Sequence, residues 1–178
     1  MKISLKAAFI AIVLLQVIFI LGLVGFKEVT LRFGKEVTLQ TVPVDPRDLF
    51  RGDFVILRYE ISRITPGNRS FIVFINPKHG DTVYVQLLKS GDVWVAGNVA
   101  DNPASDWDVF IKGKVTNTRS DYRDPIVLSY GIESYFVPEG EGLPIERAGD
   151  VKAVVSVNGL GDPVIKSLIV DGAPFRLR

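Results

Sequence analysis

Five charged residues fall between positions 45 and 53, in the stretch Val44-Asp45-Pro46-Arg47-Asp48-Leu49-Phe50-Arg51-Gly52-Asp53. The carboxylates of Asp45, Asp48 and Asp53, with Glu60 further on, are of the type that ligates a hard cation. A calcium loop, however, repeats its oxygen ligands at closer alternate positions. Hydrolysis by paired carboxylates needs an acid and a base held across a pocket, which spacing along a chain does not supply. Arg47 and Arg51 alternate with the carboxylates, so the order of types points to a solvated network of ion pairs on a turn. Pro46 fixes its own φ and holds Asp45 extended, where Asp45 can accept from amides near Asp48. Gly52 then frees the backbone before an apolar strand.

Other polar groups offer less chemistry. Glu139 and Glu141 lie in Pro138-Glu139-Gly140-Glu141-Gly142, an acidic, glycine-rich loop that would repel phosphate and suits contact with a protein. His79 is the sole histidine and sits in a turn, so a zinc site would have to rest on carboxylates. The chain has no cysteine, which excludes disulfides, thiolate metal ligands and thiol nucleophiles. Twenty-one basic against 20 acidic residues leave a net charge of +1, without the basic patch that nucleic acid requires. No metal or cofactor is expected, and no nucleic acid.

Those residues must be positioned by two very different parts of the chain. Ala7 to Phe26 is apolar apart from Gln16. About twenty helical residues reach about 30 Å, the thickness of a bilayer's hydrocarbon core. The run is longer than a signal-peptide core and lacks a small-x-small cleavage site after it, so it reads as an anchor. Lys2 and Lys6 precede it, which favours a cytoplasmic N-terminus and an extracytoplasmic segment 27–178.

From residue 27 onward, short valine-, isoleucine- and aromatic-rich runs alternate with a period of two. The expected strands are Val29–Phe33, Glu36–Pro43, Phe54–Ser62, Phe71–Ile75, Thr82–Lys89, Val93–Asn98, Asp108–Asn117, Ile126–Tyr130, Ile132–Val137, Lys152–Asn158 and Pro163–Val170. Single helical turns are expected near Asp45–Phe50 and Ile145–Val151. The fold class is mainly β: an N-terminal transmembrane helix followed by an antiparallel-rich barrel or sandwich. An internal echo suggests two pseudo-repeated β lobes with a seam at 117–124. Leu57, Tyr59 and Ile61 match Leu128, Tyr130 and Ile132 at a common offset.

Gly52-Asp53-Phe54-Val55-Ile56-Leu57-Arg58-Tyr59 resembles the motif that names the GDYXXLXY family of membrane-anchored proteins, with Phe54 at the family's first tyrosine. The resemblance implies an anchored extracytoplasmic protein acting through association with other membrane or envelope proteins. The segment Asp45 to Leu57 also resembles the active-site box of type I signal peptidases, which share the anchor and a β domain. There a serine precedes the Gly-Asp strand. Here Val44 takes that position and Thr41 lies three residues upstream, so that resemblance implies a catalytically inactive relative.

The functional expectation is a membrane-tethered interaction or structural module. Its bilayer contact is residues 7–26, and its candidate interaction residues are Asp45, Arg47, Asp48, Arg51, Asp53, Arg58, Glu139 and Glu141. A small-molecule module, with Trp94 and Trp107 lining a cleft, is the alternative of a different class.

Overall fold

The computed structural model describes residues 5–42, 54–65, 77–117, 124–138 and 142–176. It opens with a single long helix, α1 (Leu5–Phe33), whose apolar window has a mean hydropathy of 2.9 and is 0% buried against the rest of the protein. Such a helix, apolar on all sides and uncovered, belongs in lipid rather than in a protein core. It runs past the apolar stretch. The expected strand Val29–Phe33 is instead the last five residues of α1. Once about twenty residues are already helical, each further residue adds a hydrogen bond without a new nucleation cost. The Glu28–Arg32 pair, one turn apart, supports the extension.

One glycine, Gly34, separates α1 from β1 (Lys35–Val42). The remaining strands are β2 (Phe54–Ile56), β3 (Arg58–Tyr59), β4 (Arg63–Ile64), β5 (Thr82–Ser90), β6 (Val93–Ala100), β7 (Phe110–Val115), β8 (Ile126–Ser129), β9 (Ser134–Phe136), β10 (Val151–Val157), β11 (Pro163–Val170) and β12 (Ala173–Pro174). Among the described residues they form a mixed sheet in the order β12-β11-β10-β1-β6-β5-β7-β8-β4, with β3 also paired to β1, and a separate β2–β9 ladder. The order ends in β12 on one side and β4 on the other, so the sheet does not close into a barrel; the architecture is of the sandwich type. Most pairs are antiparallel, and β1 with β6 is parallel at Leu39 and Trp94.

The period-two pattern sets the core. Val37 and Leu39 on β1, Val83 and Val85 on β5, Ile111 and Val115 on β7, and Ala153 and Val155 on β10 are all buried. Their neighbours in sequence are exposed or half-buried, except Ser156 on β10, which is buried as well. The short helix α2 (Leu143–Glu146) stands near the helical turn expected from Ile145, and buries Ile145. The expected strand Phe71–Ile75 and turn Asp45–Phe50 lie outside the described residues.

Candidate functional site

The strand expected over Phe54–Ser62 is broken into three uses of one segment. Phe54, Val55 and Ile56 pair with Phe136, Tyr135 and Ser134 of β9. The Leu57 amide continues that ladder to the Glu133 carbonyl at 2.7 Å. Arg58 and Tyr59 then pair with Val42 and Thr41 at the far end of β1, and Glu60–Ser62 closes into one 3-10 turn before β4. Val55, Leu57 and Tyr59 are buried while Ile56, Arg58 and Glu60 are exposed, the alternation expected from the residue types.

The echoing segments meet directly. Tyr59 donates its hydroxyl proton to the Ile132 carbonyl at 2.7 Å, and Tyr130 donates to the Ile61 carbonyl at 2.6 Å. Tyr59 corresponds to Tyr130 and Ile61 to Ile132 in the echo, so the two bonds are one contact made twice with the partners exchanged. The ladders obey the same exchange. Val55 pairs with Tyr135 on one side, and Ile126 pairs with Ile64 on the other. Adding the echo's offset to Val55 gives Ile126, and removing it from Tyr135 gives Ile64. These segments therefore interlock around a local twofold relation. Burial pushes both phenol pKa values well above the ordinary tyrosine range, and the nearby Glu133 charge adds to the effect. The Glu133 carboxylate accepts from the Tyr130 and Gly131 amides, closing a turn in which Gly131 has φ +76°.

Of the eight candidate interaction residues, Arg58 falls within the described residues; it is exposed on β3, opposite Val42. Asp45, Arg47, Asp48, Arg51, Asp53, Glu139 and Glu141 lie outside them. Thr41, the hydroxyl upstream of the peptidase-like box, donates to the Val151 carbonyl at 2.6 Å. Lys112 pairs with Asp162 at 2.7 Å, and that hydrogen bond raises the lysine pKa. His79 is exposed in its turn. Trp107 is buried and lines an open groove with Asn98, Asp101 and Asp106.

A second organised region, at the end of α1, carries no motif. Thr30 is 2% exposed although the described side chains before it on α1 are exposed. Its carbonyl accepts from the Gly34 amide at 2.9 Å and from the fully buried Ser156 hydroxyl at 2.6 Å. Its own hydroxyl donates back to the Phe26 carbonyl at 3.0 Å and accepts from the Asn158 side-chain Nδ2 at 3.1 Å. A Cβ on Gly34 would stand 2.4 Å from the Ser156 oxygen and 2.5 Å from the Thr30 carbonyl, so only glycine fits there. Lys35 adds an exposed ion pair with Asp108 at 2.6 Å. The only sequence signal for this joint was a glycine after a hydrophobic helix, a position shared with ordinary helix ends.

No curated protein and no solved structure shows significant similarity to the chain. A family model described as GDYXXLXY protein matches residues 16–168, from within the apolar helix to the last long strand. Leu57 and Tyr59, which stand at the leucine and final tyrosine of that name, are core residues of the interlock, and by a match over most of its length the chain belongs to the GDYXXLXY family.

Proposed function

We propose that this protein is a membrane-tethered interaction or structural module. Its N-terminus is cytoplasmic and its β domain extracytoplasmic. The observation that carries this reading is how the family motif is used. Val55, Leu57 and Tyr59 are committed to packing, and Tyr59 also to a hydroxyl–carbonyl bond, so in this reading the motif acts as a folding element and the charged residues next to it in sequence carry the contact. Lys2 and Lys6 before the helix support the orientation.

The described residues that flank those charges lie at one end of β1. The motif end pairs with Thr41 and Val42, about 20 Å along β1 from Lys35 at the helix joint, at about 3.3 Å per residue. Asp45, Arg47, Asp48, Arg51 and Asp53 connect in sequence to that end, and Arg58 stands on it. Glu139 and Glu141 follow closely after β9, which pairs with the motif strand. The partner in this reading is another membrane or envelope protein. Confinement to the bilayer raises the effective concentration of such a partner.

The test is cross-linking in native membranes from a photoreactive residue at position 58, with mass spectrometry, against a folded D45A/R47A/D53A variant. A membrane protein captured by the wild type and lost with the variant is the expected result. Capture that ignores the variant, or no capture at all, would sink the assignment to this surface.

A further inference from the structure

We propose that the turn between β10 and β11 is a second membrane contact, with Leu160 entering the headgroup boundary of the bilayer that holds α1. This rests on the reading of α1 as a spanning anchor. Asn158, at the start of the turn, is hydrogen-bonded to Thr30, so the turn is fixed beside the helix at that level. Thr30 lies four residues beyond Phe26, where the apolar run ends, a rise of about 6 Å. The headgroup layer adds about 5–7 Å to each side of the hydrocarbon core. The turn therefore stands at headgroup height.

Its composition suits that layer. Leu160 is 62% exposed, with Phe33 at 81% and Val29 at 57% on the adjoining helix. A lone exposed leucine means little; here Val29 and Phe33 of the anchor line one open groove with Asn158 and Gly159, the residues that lead into Leu160. The backbone is prepared for a poorly hydrated site as well. The Leu160 and Asp162 amides both donate to the Asn158 side-chain oxygen at 2.9 Å. The Gly161 amide donates to the Asn158 carbonyl at 3.0 Å, and the Gly161 carbonyl accepts from the Lys112 amide at 2.9 Å. Groups already paired cost little to remove from water. Asp162 is neutralised by Lys112, Asp108 by Lys35 and Glu28 by Arg32, so acidic groups at this end do not oppose approach to lipid.

The cysteine-free sequence allows a direct test. L160C, F19C and V42C variants of the full chain, each carrying a nitroxide, would be placed in phosphatidylcholine–phosphatidylglycerol vesicles. Collision with oxygen and with a water-soluble nickel chelate then reports depth. The expected result is a position-160 label several-fold less open to the chelate than the V42C label at the far end of β1, and shallower than F19C. Equal chelate access at 160 and 42, with F19C deep, would overturn the second contact and leave the anchor standing. An F19C label in water would overturn both. Should L160C fail to fold, G159C decides in the same way, since a Cβ at Gly159 meets nothing within 4 Å.

Discussion

Tyr59 and Tyr130 show how single hydroxyls can hold a fold together. Each is buried, and each satisfies a carbonyl of the opposite segment. Replacing either with phenylalanine keeps the ring and removes the donor, so Y59F and Y130F should each cost about 1–3 kcal/mol in urea unfolding of the full chain in detergent. A wild-type midpoint in both variants would contradict the interlock. The same residues set an alkaline limit. Their folded pKa values lie above the unfolded one, so as pH rises through about 10 the unfolded chain releases protons first. Stability is thus complete below that pH and declines above it, by up to about 1.4 kcal/mol per pH unit for each phenol. In absorbance titration Tyr59 and Tyr130 should ionise only as the domain unfolds, and the amplitude that accompanies unfolding should fall by one tyrosine in either phenylalanine variant.

At the scale of elements, the joint between α1 and β1 concentrates the constraints. G34A forces a methyl group into backbone atoms that cannot move aside singly and should cost about 1–3 kcal/mol or more. S156A removes one donor while the Gly34 amide still serves the Thr30 carbonyl, so about 0.5–1.5 kcal/mol is expected. Thermal unfolding in detergent separates the two, and an unshifted G34A melt would refute the packing account. Alternation along the chain made β5, β6, β10 and β11 legible to within a few residues, because each buries one face. It failed at Val29–Phe33, where β-branched and aromatic types suggest a strand but the preceding helix decides the conformation. It also could not divide Phe54–Ser62, whose residues change partners from β9 to β1. The match of Leu57, Tyr59 and Ile61 to Leu128, Tyr130 and Ile132 was visible as a pattern; that the copies exchange hydrogen bonds is a property of the three-dimensional pairing alone. The Thr30–Ser156–Asn158 cluster was invisible because its members are 126 and 128 residues apart and individually ordinary.

For the whole molecule, the helix and the sheet are coupled without a tether, and this gives the domain a compass bearing. A flexible linker would let the β domain swivel freely over the membrane; one glycine, with its amide and the Ser156 hydroxyl both bonded to the Thr30 carbonyl, does not. Any torque on α1 is passed to the sheet, and any lateral neighbour meets a single azimuth of the domain. Alanine insertions after Phe26 leave the joint intact while turning everything above it by about 100° and lifting it about 1.5 Å per residue. Cross-linking from position 58 to a neighbour in the same membrane should therefore fall with one or two insertions and return in part near four and seven, as the azimuth comes round. A smooth dependence on insertion length would mean that the domain keeps no heading of its own.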